Sequence, residues 1–239
     1  MEEEKLNKVA IILGLSFIVG MLIASYTFYS AKQLDNTLSV TGSAKQRITS
    51  DVVKWRSGFS RTVPDWNLNG GYILMKQDQE KVVKFLKDSG IDEKSITVSP
   101  VTLEQYFKYD PNAPKEYNLH QSVEVQSSDV PKITDLAKNA QALTALGVIF
   151  ASESLEYYYS KLPDLRVSLL SDAIKDAKAR AEKIAESSGK KVGNIKSASM
   201  GVVQVMPVNS VEISDYGTYD TGSIEKEVMV TVKALFILR

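Results

Sequence analysis

An uncharged apolar stretch near the N-terminus restricts the fold of this chain more than any other feature of its sequence. Residues 9–28 read VAIILGLSFIVGMLIASYTF and contain no Asp, Glu, Lys or Arg. As an α-helix they would extend for about 30 Å, which is the thickness of the hydrocarbon layer of a bilayer. The stretch therefore predicts one membrane helix. Residues 1–31 would form a cytoplasmic tail and anchor, 32–37 a linker, and 38–239 a separate domain.

Two fates are open for this helix, because export signals and membrane anchors share its composition. A cleaved signal peptide usually has a shorter apolar core of about 7–15 residues, followed by small residues. Here Tyr26, Phe28 and Tyr29 follow instead, and aromatic residues are typical of the membrane–water interface. We expect the helix to be retained in the lipid bilayer as a single-pass anchor.

Basic residues flank the helix on both sides, so the charge bias that orients membrane helices is weak. Lys5 and Lys8 precede the helix and Lys32 follows it. The simplest arrangement leaves the short tail in the cytoplasm and exports the large domain. We therefore expect a protein of the cytoplasmic (inner) membrane with an extracytoplasmic C-terminal domain.

Small residues recur at every fourth position of the apolar stretch. Ser16, Gly20 and Ala24 have the small-xxx-small spacing that lets two membrane helices pack closely. Small residues are also common in membrane helices that pack against nothing. Both interpretations remain open.

The composition of the whole chain is that of a globular protein, with 44% hydrophobic and 24% charged residues. Lys plus Arg and Asp plus Glu both number 29, and no basic run occurs, so we expect no nucleic-acid partner. Cysteine is absent, which excludes disulfides, Cys–metal sites and thiol catalysis.

Hydrophobic periodicity after the linker predicts an α+β fold. Alternating apolar positions predict strands, and spacings of three and four residues predict helices. The expected order is ββαββαβαββ, a mostly antiparallel sheet with helices on one face. The predicted strands are 38–48, 53–63, 96–107, 118–126, 149–160, 192–206 and 224–238, and the predicted helices are 68–89, 131–146 and 164–188.

Some single residues carry more specific expectations. Gly42 inside the first strand suggests a bulge or a close backbone approach. The buried stripes of the three helices are expected to include Tyr72, Leu146 and Ile184, respectively. Arg56 and Arg61, near the polar face of the second strand, are expected to be solvated.

Three stretches in this order resemble the SIMPL-domain family of bacterial envelope proteins, also called DUF541. The first is Val40-Thr41-Gly42-Ser43, followed by an Asp before the second strand but without the Pro that usually precedes it. The second is LKDSGI at 86–91 with the strand ITV at 96–98. The third is the Ala-rich helix 173–185 followed by Gly189 and VGNI at 192–195.

The resemblance implies an exported or envelope domain that in some relatives assembles into ring-like or larger homo-oligomers. It also implies a loose connection with envelope stress. It implies no catalytic residues.

We find no catalytic, cofactor-binding or metal-binding constellation and expect no enzyme. His120 is the only histidine and shares a strand face with Ser122 and Glu124. Because a metal site needs several converging ligands, His120 is interpreted as a surface or cross-strand residue. The Ser-x-x-Lys sequences that begin at Ser187, Ser188 and Ser223 lie at a helix end or a loop exit, not on a rigid element.

An enzyme with an unrecognised carboxylate site stays an alternative. It requires a pocket that brings together at least two of five acidic residues. These are Asp51, Glu124, Glu153, Glu212 and Asp215.

The polar loop 207–223 is open to three interpretations. It is an ordinary surface loop, a contact surface for a partner or subunit, or a calcium site. Tyrosines often carry interface energy. Tyr158, on a strand, and Tyr216 and Tyr219, in the loop, are therefore the candidate contact residues.

These observations lead to one leading hypothesis for function. The chain would be a membrane-anchored, extracytoplasmic protein that self-associates into a homo-oligomer and serves as a non-catalytic scaffold or binding protein of the bacterial envelope. Stress response is its candidate process, and the identity of any other protein partner does not follow from the sequence. The alternative to this hypothesis, besides the carboxylate enzyme, is a subunit of a pore-like or channel-like membrane assembly.

Overall fold

The computed structural model describes residues 2–33, 36–106, 114–212 and 214–239. It begins with a long helix, α1 (Glu2–Gln33). Within α1 the segment Ile11–Ser30 has a mean hydropathy of 2.1, and none of it is buried in the protein. By length and composition this helix can cross a bilayer, and a signal sequence near the N-terminus would have the same properties.

Ten strands and four further α-helices follow in the described part of the chain. The secondary structure is antiparallel-rich and mixed, which confirms the α+β class. The elements are β1 (Thr37–Thr49), β2 (Val52–Pro64), α2 (Leu68–Asp88), β3 (Ile96–Val98), β4 (Thr102–Tyr106), β5 (Glu116–Ser127), α3 (Val130–Lys138), α4 (Ala142–Ala145), β6 (Phe150–Tyr158), α5 (Leu162–Ser187), β7 (Val192–Met200), β8 (Gln204–Pro207), β9 (Thr218–Tyr219) and β10 (Glu225–Leu238).

The order ββαββαβαββ is not reproduced element for element, because three predicted elements are interrupted. Pro100, which cannot donate a ladder hydrogen bond, lies in the break between β3 and β4. Gly201 lies in the break between β7 and β8. The side chain of Asn139 bonds the carbonyl of Asp135, 2.8 Å away, at the end of α3, which separates α3 from α4. The short strand β9 was not predicted.

The chain forms two compact units. The first contains Met1–Lys45, Arg166–Val203 and Met229–Arg239, and the second contains Gln46–Leu165 and Gln204–Val228. The long strands β1 and β10 each contribute residues to both.

The second unit is built on a sheet with the strand order β3-β5-β2-β6, in which β4 also pairs with β5 and all pairs are antiparallel. Every second residue of β2 and β5 faces a core that also contains residues of α2, α3 and α4, as the alternation predicted. The largest fully buried members of this core are Trp55, Phe59, Met75, Leu86, Leu119, Ile133 and Leu143.

In α2 and α5, one residue that was predicted to be buried is exposed, and the residue next to it is buried instead. Tyr72 is 44% exposed, and its neighbour Gly71 is buried instead, because Leu119 and Val63 approach too closely for a side chain. Ile184 of α5 is 49% exposed, while Ala181 and Ala185 are buried.

The prediction that Leu146 is buried is wrong. This residue is 50% exposed because α4 ends at Ala145 and Leu146 itself is the C-cap residue. Leu143, one turn earlier, fills the core position.

Arg61 contradicts the expectation of a solvated side chain. It donates two hydrogen bonds to the carboxylate of Asp78, at 2.6 and 2.9 Å, and a third to the carbonyl of Gly147 at 2.8 Å. The Asp78 side chain is 1% exposed, so this bidentate pair neutralises a carboxylate in the interior. The hydrogen bond to Asp78 raises the pKa of Arg61 above its ordinary value. The pair thus connects α2 to β2.

In the first unit, α5 packs closely against β1 and β10. A core of Val40, Val232, Phe236 and the alanines at 173, 177, 181 and 234 fills the space between them. A Cβ atom at Gly42 would lie 2.2 Å from the carbonyl oxygen of Ala173 and 2.3 Å from the amide nitrogen of Ala177. The close backbone approach predicted at Gly42 is confirmed.

We predict that Gly42→Ala destabilises the first unit by about 2 kcal/mol or more, because the new methyl group would meet backbone atoms that cannot move independently. Denaturant unfolding followed by circular dichroism measures the change. Gly222→Ala is the matched control, since the nearest atom to its Cβ would be 3.5 Å away. Equal stability of the two variants would contradict the close packing of α5.

Candidate functional site

The candidate functional site is the side of the β5-β2-β6 sheet opposite the core, here called the polar face. It consists of Lys54 and Arg56 from β2, His120 and Glu124 from β5, and Glu153 and Glu156 from β6. The alternation of β2 and β5 places their four residues on this side, while Val53, Trp55, Leu119 and Val123 face the core.

Glu153 reaches the polar face through a β-bulge. The register of β2 and β6 shifts between Arg56 and Ser57, where Arg56 pairs with Ser154 but Ser57 pairs with Ser152. The extra residue, Glu153, therefore breaks the alternation and can turn towards His120. Alternation alone would have placed Glu153 in the core.

Glu124 lies between two cations of the neighbouring strand. Its carboxylate oxygens are 3.1 Å from Lys54 Nζ and 3.1 Å from Arg56 Nη2. Partial burial raises the pKa of Glu124, but the hydrogen bonds and positive charges of Lys54 and Arg56 outweigh it and hold the pKa below its ordinary value. The hydrogen bond to Glu124 likewise raises the pKa of Arg56.

His120 and Glu153 meet above Gly58 of β2. His120 Nε2 is 3.4 Å from Glu153 Oε1 and 3.2 Å from Ser122 Oγ. A Cβ atom at Gly58 would lie 2.3 Å from Glu153 Oε1 and 2.4 Å from His120 Cε1. The absence of a side chain at Gly58 thus creates the space in which the two groups meet.

The enzyme alternative requires at least two of five carboxylates in one pocket, and the structure places the five in three different regions. Glu124 and Glu153 lie on the open polar face, each beside a basic group. Asp51 accepts hydrogen bonds from the amide and hydroxyl of Ser160, at 2.7 and 2.6 Å. Glu212 lines a cavity in the loop 207–223, and Asp215 is an exposed residue of the same loop.

Within the ranges that the structure describes, no group of three or more His, Asp or Glu side chains is placed to hold a metal ion. On the polar face, acidic side chains lie beside basic ones. The register of the three strands fixes the positions of these hydrogen-bond donors and acceptors.

Two of the three candidate contact tyrosines lie together at one end of this face. The rings of Tyr158 and Tyr219 are 5.9 Å apart and tilted by 34°. The hydroxyl of Tyr158 donates to Glu156 at 2.5 Å, and this hydrogen bond raises the pKa of Tyr158 to about 12. Tyr216 does not join them and is 96% exposed in the loop.

Two buried polar residues that the sequence reasoning missed hold the loop 207–223. Gln204 donates to the carbonyl of Ser214 at 2.6 Å and accepts from the hydroxyl of Thr218 at 2.9 Å. Lys226, whose side chain is fully buried, donates to the carbonyl of Asp220 at 2.5 Å. The sequence signal for Lys226 was its position between Ile224 and Val228, in the inward-facing series of the predicted strand 224–238.

Burial and mutual attraction shift the pKa values of Lys226 and Asp220, which form this contact. Burial lowers the pKa of Lys226, although the nearby charge of Asp220 opposes the change. Burial raises the pKa of Asp220, but hydrogen bonds from Ser223 and Gly222 and the charge of Lys226 lower it overall. A cavity of about 390 Å³ remains in the loop, lined by Val205, Met206, Pro207, Ser210, Glu212, Thr218, Tyr219 and Asp220.

Fold and site together define an α+β protein of two compact units, with an N-terminal apolar helix and an open, charge-paired sheet face. A family model, SIMPL, described as a protein of unknown function (DUF541), matches residues 38–236. The chain therefore belongs to the SIMPL family, as the three sequence stretches indicated. A search of curated proteins found no match to the chain.

We predict that Glu124→Gln lowers the free energy of unfolding by about 0.5–1 kcal/mol at pH 7, because Lys54 and Arg56 lose their counter-charge. The folded-state pKa of Glu124 is lowered, so its contribution is present above the unfolded pKa of about 4.3 and is lost as the pH falls through the folded value. The difference between variant and wild type should therefore fade below about pH 4.

Denaturant titrations at several pH values measure this difference. Glu104→Gln, on the exposed strand β4, is the control and should change stability by less than about 0.5 kcal/mol. A deficit of Glu124→Gln that stays constant down to low pH would contradict the ion-pair account.

Proposed function

We propose that the chain is a single-pass protein of the cytoplasmic membrane whose SIMPL domain is extracytoplasmic, self-associates into a homo-oligomer and acts as a non-catalytic scaffold or binding protein of the bacterial envelope. The observation that carries this proposal is the apolar segment Ile11–Ser30, which has no buried residue. A predominantly apolar segment of 20 residues that is not buried in the protein is stable in hydrocarbon and strongly unfavourable in water. A role in envelope stress rests on the family resemblance alone.

Self-association is supported by the edge strand β7. Among the described residues β7 pairs only with β10, and seven of its nine residues are exposed. Ile195 is 43% and Met200 54% exposed, so apolar side chains accompany the unpaired backbone groups of this edge. Edge strands of this kind are templates for pairing with another chain.

The non-catalytic part of the proposal is supported by the polar face. Glu124 is paired with Lys54 and Arg56, and Glu153 is paired with His120, on a surface open to solvent. A general acid or base is usually tuned by burial in a cleft, which neither carboxylate has. The face is suited to binding a partner with complementary charges.

We predict that the full-length protein in detergent has a protein mass that is a multiple of 26.4 kDa, twofold or higher. Size-exclusion chromatography with light scattering measures this mass. Met200→Lys should shift the protein towards the single-chain mass, because a charge on the free edge of β7 opposes strand pairing.

Val167→Lys is the matched control, since Val167 is 71% exposed on α5 and lies outside β7. A single-chain mass of the unaltered protein at micromolar concentration would contradict self-association. An unaltered mass for Met200→Lys would move the contact away from β7.

A pore-like assembly is the second candidate, and the membrane helix favours it. Ser16, Gly20 and Ala24 are all exposed, and a Cβ atom at Gly20 would meet no atom within 4 Å. This stripe is therefore free to contact the same stripe of another subunit inside the bilayer.

We predict that Gly20→Leu dissociates the detergent-solubilised oligomer if subunits pack through this stripe, because leucine would separate the helices. Gly14→Leu is the matched control, because Gly14 has equally open surroundings but lies off the stripe. An oligomer that survives Gly20→Leu as well as Gly14→Leu would exclude α1 from the subunit contact.

A further inference from the structure

We propose that four basic residues next to the membrane, Lys32, Lys190, Lys191 and Arg239, bind the phosphate groups of anionic phospholipids. They are called the juxtamembrane basic patch below. The proposal rests on the retention of α1 as a membrane anchor. It goes further because it assigns a lipid-headgroup contact to residues far apart in the sequence.

Hydrogen bonds attach three of the four residues to the point where the domain begins. Lys190 Nζ donates to Asn36 Oδ1 at 2.9 Å, and the amide of Leu238 donates to the carbonyl of Asn36 at 2.8 Å. Lys191 and Arg239 exchange backbone hydrogen bonds of 2.8 and 2.9 Å. The turn after α5 and the end of β10 are thus held beside Asn36.

The length of the chain then limits the distance of the patch from the bilayer. The apolar segment ends at Ser30 and α1 at Gln33, so the helix rises about 4.5 Å above the hydrocarbon. Three more residues lead to Asn36 and cover at most about 11 Å. Asn36 therefore lies at most about 15 Å above the hydrocarbon. The headgroup layer takes up about 5–7 Å of this height, and the remainder is about one Debye length, 8–10 Å.

The charge of this region favours anions. Lys190 is half-buried, and its hydrogen-bond partner, the Asn36 amide, is neutral. The nearest acidic residues of α5 are occupied by other lysines: Glu186 is 2.8 Å from Lys183, and Glu182 is 3.8 Å from Lys178.

The linker adds one acidic residue, Asp35, in the sequence. With Glu182, Glu186 and their partners Lys178 and Lys183 included, six basic side chains stand against three acidic ones, which leaves an excess of positive charge. Juxtamembrane basic residues are attracted to anionic lipid surfaces over such short distances.

The patch also accounts for the weak charge asymmetry around the anchor. Lys5 and Lys8 precede the helix, and Lys32 follows it. Basic residues on the exported side reduce the orienting bias. Contact with phosphate groups gives these exported charges a favourable environment.

Lysine acetylation in lipid nanodiscs tests the proposal with the full-length chain. Nanodiscs of phosphatidylcholine alone are compared with nanodiscs that also contain phosphatidylglycerol, and mass spectrometry gives the acetylation rate of each lysine. Lys190 and Lys191 should be acetylated more slowly, on the order of fivefold, in the anionic nanodiscs. About 0.5 M salt should abolish the difference.

The controls are Lys175 on α5 and Lys138 on α3, whose side chains are 75% and 70% exposed and whose rates should not depend on the lipid. The double variant Lys190→Gln with Lys191→Gln should reduce the lipid-dependent protection of Lys32. The matched variant Lys175→Gln with Lys178→Gln should leave that protection intact.

The outcomes separate this inference from the function on which it rests. Equal acetylation rates in both kinds of nanodisc, for a chain that has inserted, would overturn the lipid contact and leave the anchor standing. A chain that does not enter nanodiscs would contradict the anchor and the lipid contact together. If Lys32 keeps its full lipid-dependent protection from acetylation in the Lys190→Gln, Lys191→Gln variant, Lys190 and Lys191 are excluded as the binding groups.

Discussion

The first unit depends on a backbone contact that only glycine and alanine permit. Gly42 of β1 faces Ala173 and Ala177 of α5, and no side chain separates the two backbones. The approach also lets Asp176 accept a hydrogen bond from the amide of Ser43 at 2.8 Å. This bond, together with Arg180, lowers the pKa of Asp176. Because α5 lies this close, the chain after it can form β7 beside β10 and return Lys190 to Asn36.

In the second unit one face of the sheet is buried in the core and the other is open to solvent. Its core side contains a buried charge, Asp78, that is acceptable only because Arg61 forms a bidentate pair with it. Its polar face satisfies charges in pairs across three strands. An open, charge-paired sheet face is suited to binding a partner with complementary charges, which is the role proposed for this SIMPL protein.

Local periodicity predicted much of this architecture, and long-range pairing accounts for what it missed. The inward faces of β2, β5 and β10 followed from alternation, and Gly42 followed from the cost of glycine in a strand. Alternation also placed His120 and Glu124 on one face. The contact of His120 with Glu153 required the bulge in β6, and bulges leave no periodic signal. Asp78 and Lys226 occupy core positions because Arg61 and Asp220 neutralise them, and such partners become visible only when the strands and helices are in register.

The proposed membrane location and the proposed lipid contact both depend on α1 staying attached to the domain. The direct measurement is the intact mass of the protein extracted from the membranes of cells that produce it. If α1 is retained, the membrane fraction contains the protein with the mass of the whole chain, 26.4 kDa. A soluble protein shortened by about 30 residues, as signal-peptide removal would produce, would contradict the retention of α1.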